Sequence, residues 1–139
     1  MKFIAHITFA LLALMVVDIA NAQEIGDTSK TFSGLKYVIL EKGEGKEVYA
    51  YRRVNIDYIG RFTNGEVIDS SKAEGYTFVT GTGQVISGLD EGVRLMSVGD
   101  RFVFIIPWKL AYGKKGIPGA IPPRETLIFE VVLNSVEEI

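Results

Sequence analysis

Residues 81–99 read GTGQVISGLDEGVRLMSVG, and how they fold decides what the rest of the chain must do. Leu89, Val93 and Met96 recur at i, i+4 and i+7, which puts them on one face of a helix. Ser87 is a good N-cap, with Asp90 three residues on as a capping-box partner. Gly99 ends the pattern, so the spacing predicts a helix of about three turns. The glycines at the front invite a second reading, a loop that cradles phosphate. The spacing defeats it. A Walker loop needs Lys followed by Ser or Thr where Ser87-Gly88-Leu89 stand, and a dinucleotide fingerprint needs a third glycine where Ile86 sits.

To either side lie strand patterns. RVNIDYIGRF (53–62) alternates, with Val54, Ile56, Tyr58 and Phe62 on one face and Asn55, Asp57 and Arg61 on the other. An Asn64-Gly65 turn follows, and VIDSS (67–71) returns. LKYVILE (35–41) and YTFVTG (76–81) are β-prone. DRFVFIIP (100–107) aims Phe102, Phe104 and Ile106 one way, and TLIFEVVLNSVEEI (126–139) does the same with Leu127, Phe129, Val131 and Leu133. Between them runs WKLAYGKKGIPGAIPPRE (108–125), and a loop that long inside a compact domain is usually functional. Antiparallel strands with one short helix to cover a face make an α+β fold.

Residues 1–22 carry Lys2, the apolar run FIAHITFALLALMVV and then Ala20-Asn21-Ala22, the layout of a cleaved secretory signal. The run is short against the ~20 residues of a spanning helix. An exported protein is expected: secreted, periplasmic or in a secretory pathway. QEIGDTSKTFS (23–33) reads as a short polar tether, and 34–139 as one domain. The chain has a net charge of −2, and the leader holds one cation and one acid, so the remainder is mildly acidic. That speaks against nucleic acid or an anionic membrane as the main partner. There is no cysteine, and the single histidine, His6, lies in the leader. A thiol nucleophile, an imidazole triad and a His-bound zinc are thereby excluded from 23–139. No metal, cofactor or membrane contact after leader removal is expected. No helical dimerisation arm precedes the domain, so a monomer is expected.

Few side chains offer chemistry. Asp90 and Glu91 suit the positive end of the helix macrodipole. Asp69, before Ser70-Ser71, reads either as a turn-former bonding backbone amides or as a functional carboxylate. Lys114-Lys115 read as a solvated loop face. The aromatic set is Tyr58, Tyr76, Phe78, Phe104, Tyr112 and Phe129. Several must fill the core, but Tyr112 sits in a Gly/Pro loop, where a phenol suits a pocket wall with a polar handle. An aromatic-lined pocket with a few directed hydrogen bonds fits an apolar ligand or peptide.

YIGRFTNG (58–65), IDSS (68–71), GQVISGLDEGVRLMSVG (83–99), LAYG (110–113), GAIPP (119–123) and TLIFEV (126–131) stand in one order. In that order and spacing the chain resembles FKBP-type peptidyl-prolyl isomerases, over roughly Ser33 to Leu133. The resemblance implies an antiparallel sheet of about five to six strands wrapped around one short helix. It implies cis/trans isomerisation of X–Pro bonds, which needs no nucleophile, metal or cofactor. It implies that proline-containing peptides and unfolded exported proteins are partners, and that macrolides such as rapamycin are ligands. Carried over, Tyr58, Tyr76, Val85, Ile86, Ile121 and Phe129 would wall a proline pocket. The Ile86 N–H and the Tyr112 hydroxyl would bond ligand carbonyls. Asp69 would be a buried polar group facing the twisted amide, so Asp69, Tyr112 and Tyr58 are the candidate catalytic residues.

The chain departs from the family pattern in places. Leu89 stands where the family has an indole at the pocket floor, and Ile68 where it has an aromatic wall. Ile117 faces Tyr112 in the long loop, and Ala120 replaces a larger aliphatic. Segment 72–75 is short, and Trp108 reads as loop packing or a rim contact. These changes loosen the grip on a proline ring, so reduced isomerase efficiency and weak macrolide binding are expected. Two alternatives from other classes follow: a proline-peptide-binding module or holdase that lost most catalysis, and a secreted ligand-binding domain with no folding role.

Overall fold

The most regular alternation in the sequence becomes the spine of one sheet. Strand β3 (Arg52–Phe62) pairs along its length with β7 (Leu127–Glu138), from Arg52 opposite Glu138 to Phe62 opposite Leu127. The computed structural model describes residues 25–139, so the leader read in 1–22 lies outside the described residues. Among those described, the other strands are β1 (Thr28–Lys30), β2 (Lys36–Glu41), β4 (Val67–Ser70), β5 (Tyr76–Val79) and β6 (Arg101–Ile106). Their order is β1-β2-β6-β7-β3-β4, with β5 also against β3, and every pairing is antiparallel. Thus β4 and β5 share one edge of β3, each taking a different half of it.

Burial follows the alternation. Val54, Ile56, Phe104, Ile106, Leu127, Val131 and Leu133 are each 0% exposed and point to the same side. The helix α1 (Ser87–Val93) lies against that face, with Leu89 and Val93 buried in the common core. Two glycines let it come close. A Cβ on Gly92 would stand 2.6 Å from the Phe104 ring, and one on Gly88 would stand 2.5 Å from Ile106. Gly88 and Gly92 are one helical step of four apart, so a single face of α1 has no side chains and meets β6 directly.

Three expectations change. The helix is seven residues long, two turns rather than three. Beyond Val93 the bonds tighten, with the Leu95 N–H donating to Gly92 O and the Met96 N–H to Val93 O, the i→i−3 pattern of a fraying end. Met96 still reaches the core at 1% exposure. Second, Ser87 is not the N-cap. Ile86 takes that place with no side-chain cap, and the Ser87 hydroxyl donates to Leu110 O at 3.3 Å. Asp90 makes no capping box; both its carboxylate oxygens accept the Gly81 N–H at 3.0 Å. Third, the segment read as a tether contains β1, so the sheet has seven strands instead of five or six. A turn closed by the Gly34 N–H on Thr31 O folds Thr28–Lys30 back onto β2.

Gly92→Ala tests the helix–sheet contact. Alanine favours a helix by up to ~1 kcal/mol over glycine, but here its methyl would collide with Phe104. Overpacking of this kind costs about 1–3 kcal/mol. Urea denaturation should therefore show a net loss of stability, against the helical propensity.

Candidate active site

The site residues gather around Tyr58. Its neighbour two residues along β3, Gly60, pairs with Phe129 of β7. A Cβ on Gly60 would lie 2.8 Å from the Phe129 ring, so glycine is what allows that ring to lie across the strand. Phe129 then stacks against Tyr58, with ring centroids 5.7 Å apart. Tyr76, at the start of β5, meets the Tyr58 ring edge-on at 6.1 Å, near the favoured geometry for aromatic pairs. Behind it Phe78 tilts against Tyr76 at 6.0 Å and closes the group toward the core.

A short strand supplies the polar part. On β4, Asp69 pairs with Gly60 and Val67 with Arg61, so Ile68 is the extra residue of a bulge. Ile68 packs half-buried on the core, and the Asp69 carboxylate accepts the Tyr58 hydroxyl at 2.7 Å and the Ser70 N–H at 2.8 Å. Asp69 itself is exposed, which corrects the expectation of a buried carboxylate. The reason is β4's place at the sheet edge, where only the side chains turned inward are covered.

The long loop reaches the same place. A 3-10 turn, Trp108–Leu110, starts it, and the Ser87 hydroxyl pins Leu110 to the front of α1. Tyr112 follows, 40% exposed, with no hydrogen bond from its hydroxyl among the described residues. Burial raises its phenol pKa above the ordinary value, and the negative charge of Asp69 raises it further. Tyr58 is shifted upward more strongly, first by burial, then by the hydrogen bond and charge of Asp69. Both phenols therefore stay protonated, as donors, across the neutral range. Further along, Ile117 and Ile121 exchange N–H···O bonds of 2.8 Å and close a small hairpin. Ile121 is nearly buried at 7%, whereas Ile117 is 40% exposed. Trp108 is half-buried at the loop base, with Lys109 and Arg124 over its ring at 5.5 and 5.9 Å.

Direct contacts thus unite Tyr58, Tyr76, Phe129 and Asp69, and Tyr112 joins them through the field of Asp69. Leu89 lies in the core at 4% exposure, and Val85 and Ile86 pack half-buried on the same core. The Ile86 N–H donates to nothing among the described residues, while its carbonyl starts α1 by accepting from Leu89 and Asp90. Two contributors escape the sequence reading. Gly60 makes room for Phe129, and its signal is a glycine inside an alternating strand. Ser71 brackets Tyr58, its hydroxyl accepting the Tyr58 N–H at 2.9 Å. Among the described residues no cluster of three acids or histidines could hold a metal.

The family model for FKBP-type peptidyl-prolyl cis-trans isomerases matches residues 45–134, which include Tyr58, Asp69, Tyr76, Leu89, Tyr112 and Phe129. The chain belongs to this family. It is 45% identical over 101 residues to FK506-binding protein 1 of Yarrowia lipolytica, covering 93% of that relative and 70% of this chain. It is 42% identical over 119 residues to the FKBP-type isomerase FkpA of Aeromonas hydrophila, covering 86% of this chain and 44% of the relative. Against four curated relatives, FkpA proteins among them, the chain spans only 28% to 56% of the relative's length. The crystal structure of AtFKBP13 superposes with a TM-score of 0.74 at 31% identity, over 78% of this chain and 98% of that one. The FKBP fold inferred from the motifs is therefore the fold observed, with one strand added.

The phenols carry a prediction. In an ultraviolet titration of the folded FKBP chain, Tyr58 and Tyr112 ionise later than an ordinary tyrosine, above pH ~10, and Tyr58→Phe removes the later component. Because the folded pKa lies above the unfolded one, this contribution to stability is complete below the unfolded value. It is lost progressively as pH rises from the unfolded value through the folded one. Stability that fell below pH 9 on account of Tyr58 would contradict the arrangement.

Proposed function

We propose that the chain is a peptidyl-prolyl cis-trans isomerase that assists folding of exported proteins. The observation that carries the reading is the aromatic group Tyr76–Tyr58–Phe129, with the Tyr58–Asp69 bond at 2.7 Å beside it and the Tyr112 hydroxyl, unengaged among the described residues, within the field of Asp69. The reaction is a rotation, so the protein has no bond to break. An ordinary peptide bond resists with ~18–20 kcal/mol because resonance gives it double-bond character, and prolyl rotation alone takes tens to hundreds of seconds. Rotation removes that resonance and leaves a less polar amide. A site that strips water from the imide and fits the twisted form better than either planar form lowers the barrier by differential binding.

The proposed roles follow from chemistry. The proline ring sits among Tyr58, Tyr76, Val85, Ile86, Ile121 and Phe129, with Leu89 as the floor. The Ile86 N–H and the Tyr112 hydroxyl, both free among the described residues, hold the flanking carbonyls. The Asp69 carboxylate, already accepting from Tyr58 and Ser70, faces the twisted amide and interacts with its changing dipole. Ile68 and Ile117 border the pocket. Export rests on the leader pattern of residues 1–22. A monomer acting on unfolded chains, with weak affinity for macrolides such as rapamycin, completes the proposal. Leu89 favours a second reading, a proline-peptide binder or holdase with little catalysis, because an aliphatic floor offers a proline ring less surface than an indole.

Refolding of a proline-limited protein separates the two. The isomerase reading expects catalysis of the slow phase. Tyr112→Phe and Asp69→Ala should each lower kcat/KM roughly five- to thirty-fold, the range of one or two lost hydrogen bonds. Tight peptide binding without acceleration would favour the binder. Leu89→Trp should raise kcat/KM where a hollow lies above residue 89. Lost stability without gained activity would place the floor elsewhere.

A further inference from the structure

The loop 108–125 carries Lys109, Lys114, Lys115 and Arg124 against the single acid Glu125, in a chain whose net charge is −2. Arg52, Arg53, Arg94 and Arg101 each meet a carboxylate, but none of the four loop cations does so among the described residues. Lys109 and Arg124 are engaged instead with the face of Trp108. Lys114 and Lys115 are exposed and stand between Gly113 and Gly116, whose φ values of +73° and +62° are left-handed. Gly113 is tied in place by its N–H to Trp108 O at 2.9 Å and by Arg124's N–H to its own carbonyl at 3.0 Å. Gly116 lies so close to the Ile121 and Pro122 carbonyls that no side chain fits. The dibasic pair is thus fixed at both ends, directly between Tyr112 and Ile117, two exposed residues of the candidate rim.

We propose that Lys114 and Lys115 are specificity residues that favour proline peptides with an acidic side chain flanking the X–Pro pair. The inference rests on the proline-peptide site proposed above, whether or not that site catalyses. A bland solvated face would mix both signs, whereas the two exposed side chains that follow Tyr112-Gly113 are both cationic. The carboxylate of Asp69 lies on the β4 side, with Tyr58 and Ser70 as its donors, so an incoming acid is repelled there and drawn toward the loop. Exposed charges act through both binding and encounter rate, and both effects fade with salt.

The test uses one proline peptide with Glu, Gln or Lys placed before the proline's preceding residue, and a second set with the change after the proline. Isomerisation and equilibrium binding are measured for every peptide. In at least one set, kcat/KM for the Glu peptide should exceed that for the Lys peptide by about three- to ten-fold at low ionic strength, the scale of one or two exposed ion pairs. The ratio should shrink at high salt and fall to one or below in a Lys114→Glu, Lys115→Glu double variant. Equal values across both sets, or a preference untouched by the double variant, overturns this inference alone. Tighter binding of Glu peptides with no turnover of any peptide overturns the isomerase reading and leaves this one standing.

Discussion

The fold depends on two missing side chains. Gly88 and Gly92 give α1 a bare face, and the helix backbone settles onto Phe104 and Ile106. A helix with ordinary side chains there would stand off the sheet by the thickness of a methyl layer. The strands could not then close over Leu89, Val93 and Met96 together. The same seating fixes what lies ahead of the helix. It places the Ile86 N–H at the front of α1, and it brings Ser87 within reach of Leu110. The long loop is therefore anchored by the helix it faces.

From that seating the candidate site follows as a chain of contacts centred on one phenol. Tyr58 packs on Phe129, meets Tyr76 edge-on, donates to Asp69 and is bracketed by Ser71. Its ring gives apolar surface and its hydroxyl orients a carboxylate. Asp69 in turn acts at a distance on Tyr112. The arrangement has few moving parts because each group is held by another. An edge-strand residue and a central-strand residue are thereby bonded, and a loop residue lies within reach of their field.

Much of this was legible in the sequence where burial is one-sided. The alternation of β3, β6 and β7 marked Val54, Ile56, Phe104, Ile106, Leu127 and Val131 as interior, since a one-residue slip would turn every one of them to solvent. What stayed hidden has a common cause. Thr28–Lys30 is a short polar edge strand paired to β2, so no hydrophobic period announces it. Ser87 and Asp90 look like caps because they are local candidates. Their real partners, Leu110 and Gly81, are supplied by tertiary folding. The ordered motifs placed Asp69 among the site candidates, but its exposure depends on which strand forms the edge, and that is a property of the whole sheet.

The place of β7 has a temporal consequence. It is the last strand of the chain, yet it lies between β6 and β3 and contributes Phe129 to the ring cluster. The halves of the sheet have no common partner until it arrives. A chain emerging from its N-terminus during synthesis carries Tyr58 and Asp69 without the wall that Phe129 supplies. The ring cluster is assembled only once β7 has been made and docked, so a nascent copy without β7 has no finished aromatic wall.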